Sequence, residues 1–496
     1  MALDLPAEVW LQIFHYASED DALFDHALPT SMAESSWFKI VFDDQWILKS
    51  PSERINTSQR RSYVTKKAIM ATCRMWRQLG QEFMYRLLFI NDPTNLARLR
   101  PLLDRHRGLG WWARRLHITR YYSSLGVTID DLERSLVGII RRSPNLETFI
   151  MDWPIKDSLL TVADALCTYC PTTLRTLHLN VPSLFLAKVI LLLDGLPALS
   201  HLHLTFDVPA PDNFHLGAAA GLALTFNSLE QLSLCGPFQD FFEQLMGWEL
   251  PALRSVSLDF LSYREDLPDI IEFLTLNGPA LTFLDINCIP VLDVPTILDL
   301  CPALHTLAFN FDWRLESAEG ETWGVGSLVN RPHANITTIG CHWLHHAFGV
   351  GDAAKYAAAD PLVTHIIRRR NDMNFAALNK QSFPKLQRVR VLDRMLLRDL
   401  EAANGPSPDC FERWERWWNQ CASQGVQLQD CTGALLGTLP QDEPEEDESE
   451  EEEEEIRDDL RDLIRQCREM SITRDEPFYG YPGYRRRSGV FPQQHA

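Results

Sequence analysis

The chain has 496 residues, 45 % of them hydrophobic and 10 % aromatic, with a net charge of -20. That supports a large core in two or more domains or in one long repeat array. The acidic run Asp442–Glu455 carries much of the charge excess, so the body is only mildly acidic, which disfavours nucleic-acid binding.

Eleven cysteines without paired framework spacing point to a reducing compartment, cytosol or nucleus. The N-terminus lacks the basic flank and apolar stretch of a secretory signal. The longest apolar run, Leu184 to Leu193, is interrupted by Lys188 and too short for a bilayer, so no membrane association is expected.

The first predicted element is a helix within Leu3–Ala17, with Asp4 placed to cap it, Pro6 in the first turn and Glu8 complementing its positive end. Val9 and Ile13 share one flank, Trp10 and Phe14 the adjacent one. A second helix is predicted from Ile69, with Cys73, Trp76, Phe83 and Leu87 recurring at helical intervals. Two such helices show more apolar surface than they can hide in each other and are too small to fold well alone, so another surface must cover them. Between them lies a segment whose aromatic first half (Trp37, Phe38, Ile40, Phe42, Trp46) is expected to pack. Its polar second half, Ser50 to Arg61, is expected to be mobile.

Asn95 to Leu103 reads as a short amphipathic helix, and Gly110–Ile118 as the first strand of a repeat array. A pattern P-x-L-x-x-L-x-L then recurs, written plainly at Pro197–Leu204, Pro251–Leu258, Pro279–Ile286 and Pro302–Phe309. Looser copies stand at Pro144–Met151, Leu174–Leu179, Leu229–Leu234 and Pro384–Val391, with a weak one at Ile336–Cys341. Anchors at 146, 174, 199, 229, 253, 281 and 304 are 28, 25, 30, 24, 28 and 23 residues apart, close to the roughly 20–29 of leucine-rich repeats. L-x-L makes a short strand with its apolar residues on one side. Segments such as Ile129–Arg142, Asp269–Asn277, Leu159–Cys170 and Leu184–Leu193 read as helices between strands. A unit of that size cannot bury its own apolar face, so the units must stack on one continuous core. The predicted fold class is α/β, a leucine-rich-repeat solenoid or horseshoe.

Alternation turns the middle residues of each L-x-L away from the core. The resulting ribbon holds Thr176, His178, Asn180, His201, His203, Thr205, Gln231, Ser233, Ser255, Ser257, Asp259, Phe283, Asp285, Asn287, Thr306, Ala308 and Asn310. Its mixed polarity suits protein recognition. Phe206, Phe260, Phe311 and Trp313 either anchor a partner at its edge or cap the core. His178, His201 and His203 cluster without an obvious carboxylate, and Cys341-His342-Trp-Leu-His345-His346 offers close ligands without a second cluster. Both are weak metal candidates, and no cofactor is expected. Cys167–Cys170 reads as buried thiols rather than a redox pair. Neither a phosphate cradle nor a nucleophile motif appears, so no enzyme activity of the chain's own is expected.

Beyond the repeats, Asp360–Arg370 is helix-like and ends in three arginines. Cys410–Cys421 places Phe411, Trp414, Trp418 and Cys421 on one helical face, expected to close the array. Residues 441–496 are expected to be disordered, acidic then basic at Arg485–Arg487, with a short amphipathic helix of Ile456, Leu460, Leu463, Cys467 and Met470 between.

Leu5-Pro6-Ala7-Glu8-Val9 with Ile13-Phe14, followed by Cys73-Arg74-Met75-Trp76-Arg77-Gln78-Leu79 and Leu87-Leu88-Phe89, resembles an F-box. More narrowly, the chain resembles the fungal, basidiomycete-type F-box proteins with degenerate leucine-rich repeats. The resemblance implies a small all-α F-box over 1–92 with an insertion at about 18–66, repeats over 93–395, a closing helix within 396–440 and the tail. It further implies a substrate-recognition adaptor of a cullin-RING, SCF-type, ubiquitin ligase. Leu5, Pro6, Val9, Ile13, Phe14, Trp76 and Leu79 would serve the contact with Skp, and through it cullin. The concave face of the repeats, with His178, Asn180, His201, His203, Asp259, Asp285, Asn287 and Asn310, would take an unknown substrate protein. The alternative is a repeat scaffold with no ligase link, whose N-terminal helices only cap the array.

Overall fold

The computed structural model describes residues 5–18, 23–40, 45–124, 126–208, 215–260, 270–287, 293–311 and 328–440. Described residues through Leu439 belong to one compact unit. The acid run, the amphipathic stripe after it, the terminal arginines and Trp313 lie outside the described residues.

Helix α1 (Ala7–Ser18) opens the chain, followed by an antiparallel hairpin of β1 (Ser36–Lys39) and β2 (Trp46–Lys49). Next comes α2 (Pro51–Thr72), which corrects the expectation of a mobile Ser50–Arg61. The helix starts on a capping box, Ser50 accepting from the Glu53 N–H at 3.1 Å while Glu53 accepts from the Ser50 N–H at 2.7 Å. The helix expected to run from Ile69 to Leu87 is also broken. Cys73 is extended and its sulfur accepts from the Trp76 N–H, so it ends α2 and caps α3 (Arg74–Arg86), leaving Ile69 on α2 and Leu87 in a strand.

That strand, β3 (Leu87–Ile90), opens the main sheet, so Gly110–Ile118 supplies its second strand, not the first as expected. From there helices separate most of the strands. In order come α4 (Thr94–Arg105), β4 (Arg115–Ile118), α5 (Ile129–Arg142), β5 (Thr148–Met151), α6 (Leu159–Tyr169), β6 (Thr176–Val181) and α7 (Leu186–Asp194). Then follow β7 (His201–Phe206), β8 (Gln231–Cys235), α8 (Gln239–Leu245), β9 (Ser255–Asp259), α9 (Ile270–Asn277), β10 (Phe283–Asn287), α10 (Val294–Leu300), β11 (Thr306–Asn310) and β12 (Thr338–His342). After α11 (His345–Phe348), α12 (Gly351–Ala359) and α13 (Pro361–Ala376) come β13 (Arg388–Val391), α14 (Arg394–Ala402), α15 (Pro408–Ser423) and β14 (Gln427–Gln429).

The twelve strands β3 to β14 form one all-parallel sheet in unbroken sequence order. Each repeat leucine two residues before its strand (Leu146, Leu174, Leu199, Leu229, Leu253, Leu281, Leu304) is buried. The two N–H groups after it reach the preceding unit, as Arg175 N and Thr176 N to Glu147 O, and Ser200 N and His201 N to Arg175 O. Register is constant, so residues form rows across the strands. Leu116, Phe149, Leu177, Leu202, Leu232, Val256, Leu284 and Leu307 make one row; Ile118, Met151, Leu179, Leu204, Leu234, Leu258, Ile286 and Phe309 another. Both rows, with the inner faces of α5, α6 and α7, belong to a single apolar core. Phe206, Phe260 and Phe311 are buried in that core, so they cap it and do not anchor a partner. On α5, Leu132, Leu136, Ile139 and Ile140 are buried, while Ile129 at its start is exposed.

At the C-terminal end, α15 buries Cys410, Trp417 and Cys421, while Phe411 points out, unlike the face expected. Trp417 stacks on Phe375 at 4.1 Å, and Asp372 accepts from Arg413, Arg416 and Trp417, pinning α13 to α15. Helix α13 runs on to Ala376, so Arg368–Arg370 lie within it, not at its end, and Arg368 donates to the His346 carbonyl. The last edge is closed by the chain itself, the Leu436 N–H donating to the Leu428 carbonyl. No helix among the described residues is long and apolar enough to cross a membrane.

Candidate functional site

Two surfaces are set by this architecture. The first is α1. Its opening turn is fixed by the Pro6 carbonyl, which accepts from Val9 and Trp10. One side packs inward: Phe14 is 1 % exposed, with Trp76 at 5.1 Å and Phe83 at 6.2 Å, while Trp10 lies 4.6 Å from Trp76. Leu11 and Leu79 pack against this cluster. Phe14, expected at the Skp contact, therefore holds the helices together and offers no surface. Leu5, Trp76 and Leu79 are half-buried, and Pro6 is exposed. Val9 (36 % exposed), Ile13 (41 %) and Tyr16 (84 %) lie at i, i+4 and i+7, an outward stripe. Helix α2 joins this body to the sheet edge. Ser62 donates to the Ser18 carbonyl at 2.5 Å, and the buried Tyr63 hydroxyl donates to the Leu87 carbonyl at 2.5 Å while accepting from the Phe89 N–H at 3.2 Å. Burial pushes the Tyr63 phenol up to about 12.

The second surface is the sheet face opposite the core. Register collects it into three rows. The first runs Arg115, Thr148, Thr176, His201, Gln231, Ser255, Phe283, Thr306, Thr338 and Arg388; the second His117, Ile150, His178, His203, Ser233, Ser257, Asp285, Ala308, Gly340 and Arg390. The third holds Asn180, Thr205, Cys235, Asp259 and Asn287, then Asn310 paired with His342. This is the expected ribbon, but it is not open throughout. Residues 23–35, from the segment before the hairpin, lie across it as a strap.

The strap contacts are made largely by backbone. The Leu23 carbonyl accepts from Arg115 at 3.0 Å and the His26 carbonyl from Thr176 at 2.8 Å. The Gln231 amide takes both polar groups of Leu28, accepting from its N–H and donating to its carbonyl, each at 3.0 Å. The Met32 carbonyl accepts from Arg390 at 2.7 Å, and Glu34 pairs with the same guanidinium at 3.1 Å. Burial pulls the Arg115 guanidinium down to about 10, against the opposing pull of Asp152 and Asp25. Gly340 lies where the strap passes: a Cβ there would stand 2.9 Å from the Met32 sulfur and 2.8 Å from the Ala308 Cβ. At the far end, Leu48 and Trp37 of the hairpin pack with Leu397 and Cys431. Ser35 N–H donates to the Cys431 carbonyl at 2.9 Å.

What stays open lies on the second and third rows of β6 to β9. His178 and His203 meet edge-to-face at 4.2 Å, and the carboxylate that the sequence left unseen is Asp152, 2.8 Å from His117 and 3.7 Å from His178. Burial opposes the charge on Asp152, but its hydrogen bond and attraction to His117, with the pull of His178 and His203, leave its pKa below the usual range. Burial lowers His178 to about 4, and burial with the neighbouring His178 lowers His203 well below its ordinary value, so both rings are neutral at pH 7. His203 shares its ring nitrogens with Ser233 (2.8 Å) and Thr205 (3.2 Å), not with a carboxylate, so Ser233 and His203 lack the acid that completes a nucleophilic relay. His201 holds Ser200 at 2.8 Å, on the row the strap follows.

Further along, Asp285 and Asn310 are buried rather than open. Asp285 accepts from His342 at 2.9 Å, Asn287 accepts from Trp343 at 2.9 Å, and Asp259 accepts from Asn287 at 3.0 Å. Burial, then repulsion from Asp285, raises the Asp259 carboxyl to about 6. Cys341 faces the core while His342 faces Asp285 and His345 pairs with Asp393 at 3.1 Å, so this histidine-rich stretch does not converge on one point. Cys167 and Cys170 are both unbridged, and burial pushes the Cys170 thiol up to about 12.

No protein-family model and no curated protein matches the chain. Among solved structures it is similar to the crystal structure of the Rad7 and Elc1 complex in yeast, at 14 % identity, spanning 68 % of this chain and 90 % of that one. The TM-score is 0.26, a likeness too loose to assign fold or function.

Proposed function

We propose that the chain is a substrate-recognition adaptor of a cullin-RING, SCF-type, ubiquitin ligase, of the fungal F-box and leucine-rich-repeat kind. In this reading α1 and α3 dock on Skp, the stacked strand–helix units form a leucine-rich horseshoe, and its polar face selects a substrate protein. The observation that carries it is the stripe of Pro6, Val9, Ile13 and Tyr16, left outside on a helix whose other side is locked by Trp10 and Phe14. An apolar stripe of this sort marks a protein contact. Catalysis would belong to the bound ligase, the adaptor acting by proximity. The scaffold reading draws on Tyr63, which ties the helices to the first strand as a cap would. Co-purification from cells separates the two. Tagged protein should recover Skp and cullin, and Val9→Asp with Ile13→Asp should lose both without losing the fold. A protein that recovers neither, with or without proteasome inhibition, is the scaffold.

A further inference from the structure

The strap reports how this sheet face holds a chain. From Asp25 to Thr30 its residues alternate exposed and half-buried, the period of an extended segment lying flat on a surface. Arg115, Thr176, Gln231 and Arg390 all bind its main chain. A face that grips carbonyls and an N–H accepts many sequences in extended form, with selectivity left to the few side chains that also engage. Here those are Glu34, 3.1 Å from Arg390, and His26, whose ring nitrogen lies 3.9 Å from the Glu147 carboxylate. The strap's apolar anchors are at its ends, Leu23 and the hairpin cluster of Leu48, while Asp25, Ala27 and Pro29 between them face solvent. Between those ends the strap is held mainly by polar bonds, with Met32 packed at Gly340, and such bonds exchange for equivalent ones at little net cost.

We propose that Arg115, Thr176 and Gln231 of the first row, with Arg390 of the second, form a track for an extended polypeptide, that residues 23–35 are its resident occupant, and that a partner protein engages by exchanging for the strap an extended segment with an acidic residue where Glu34 lies. The strap is then an internal competitor that sets the threshold for binding. The inference deepens the adaptor reading by naming the form of the substrate segment, and rests on it only in taking that partner to be a substrate.

The test uses the full chain with residues 24–34 replaced by a glycine–serine linker of equal length, and a fluorescent peptide of residues 23–36 added in trans. Anisotropy should show saturable binding to the linker chain and about tenfold weaker binding to the natural chain, whose track is filled. Gln231→Leu or Arg390→Met in the linker chain should weaken it about fivefold or more, as should a peptide with Glu34→Lys. Equal binding to both chains, no binding to a linker chain with native circular dichroism, or a linker chain that does not fold would each overturn the proposal, the last by showing the strap to be a fixed part of the structure. Skp co-purification of the linker chain is read alongside. Its loss with peptide binding intact removes the ligase reading alone, and the converse removes only the track.

Discussion

Arg390 and Arg388 stand two residues apart on β13, on the same face, and differ chiefly in what covers them. Arg388 is exposed, whereas Arg390 is buried and donates to the Met32 carbonyl at 2.7 Å, to the Gln429 side-chain oxygen at 2.8 and 3.2 Å, and to Glu34 at 3.1 Å. Arg390→Met keeps the stem and deletes every donor. The Glu34 pair, with the carboxylate side chain 55 % exposed, contributes at most about 1 kcal/mol. The bonds to Met32 and Gln429 run from a buried charged donor, at roughly 1.5–3 kcal/mol each before the relief of desolvating the guanidinium. The net expectation is a loss of about 3 kcal/mol, against about 0.5 kcal/mol or less for Arg388→Met. Urea unfolding of both variants reads the difference, and amide hydrogen exchange should show residues 32–35 loosened only in Arg390→Met. Equal losses, or a loss below about 1 kcal/mol for Arg390→Met with exchange unchanged, would refute the view that the strap is clamped at this guanidinium.

Two other substitutions probe the sheet face itself. Gly340→Ala places a Cβ within 3 Å of Met32, Ala308 and Leu392; it should destabilise by about 1–3 kcal/mol and speed exchange across 30–35, and a neutral result would mean the strap does not press on β12. Asp259, with its carboxyl raised to about 6 from 3.8, holds its proton more tightly folded than unfolded, so its favourable contribution is present below about pH 4 and lost as pH rises through about 6. Asp259→Asn should therefore match the natural chain at pH 4 and exceed it by about 1 kcal/mol or more at pH 7.5. A gain that is the same at both pH values would remove the buried-carboxyl argument.

The parts of the fold legible in the sequence are those set by local periodicity. Period-two leucines at repeated spacing gave the strands, their register and which side of each faces the core, because one apolar face must be buried the same way in every unit. Asp152 went unread, although it stands one place past Met151, where the next repeat has Asn180, a position within reach of His178. The capping box at Ser50 and Glu53 announced α2, but a helix polar on most sides, burying Gln59, Ser62 and Lys66, looks like a mobile linker when judged by apolar content. The strap leaves almost no such signal. Its bonds join residues 92 to 358 apart through backbone carbonyls that every sequence possesses. Only the small Ala308 and Gly340, side by side where neighbouring strands carry larger residues, hint that something passes over them. Which face of α1 stays open was half legible. Val9 and Ile13 were separable from Trp10 and Phe14 by spacing, but that Phe14 turns wholly inward depends on Trp76 and Phe83, more than sixty residues away.

Hydrogen exchange of the purified chain with and without a molar excess of purified Skp tests the docking claim most directly. The account predicts new protection in residues 5–18 and at the start of α3, with residues 23–35 unchanged. Exchange that is identical with and without Skp, or protection confined to the polar face of the sheet, would contradict it.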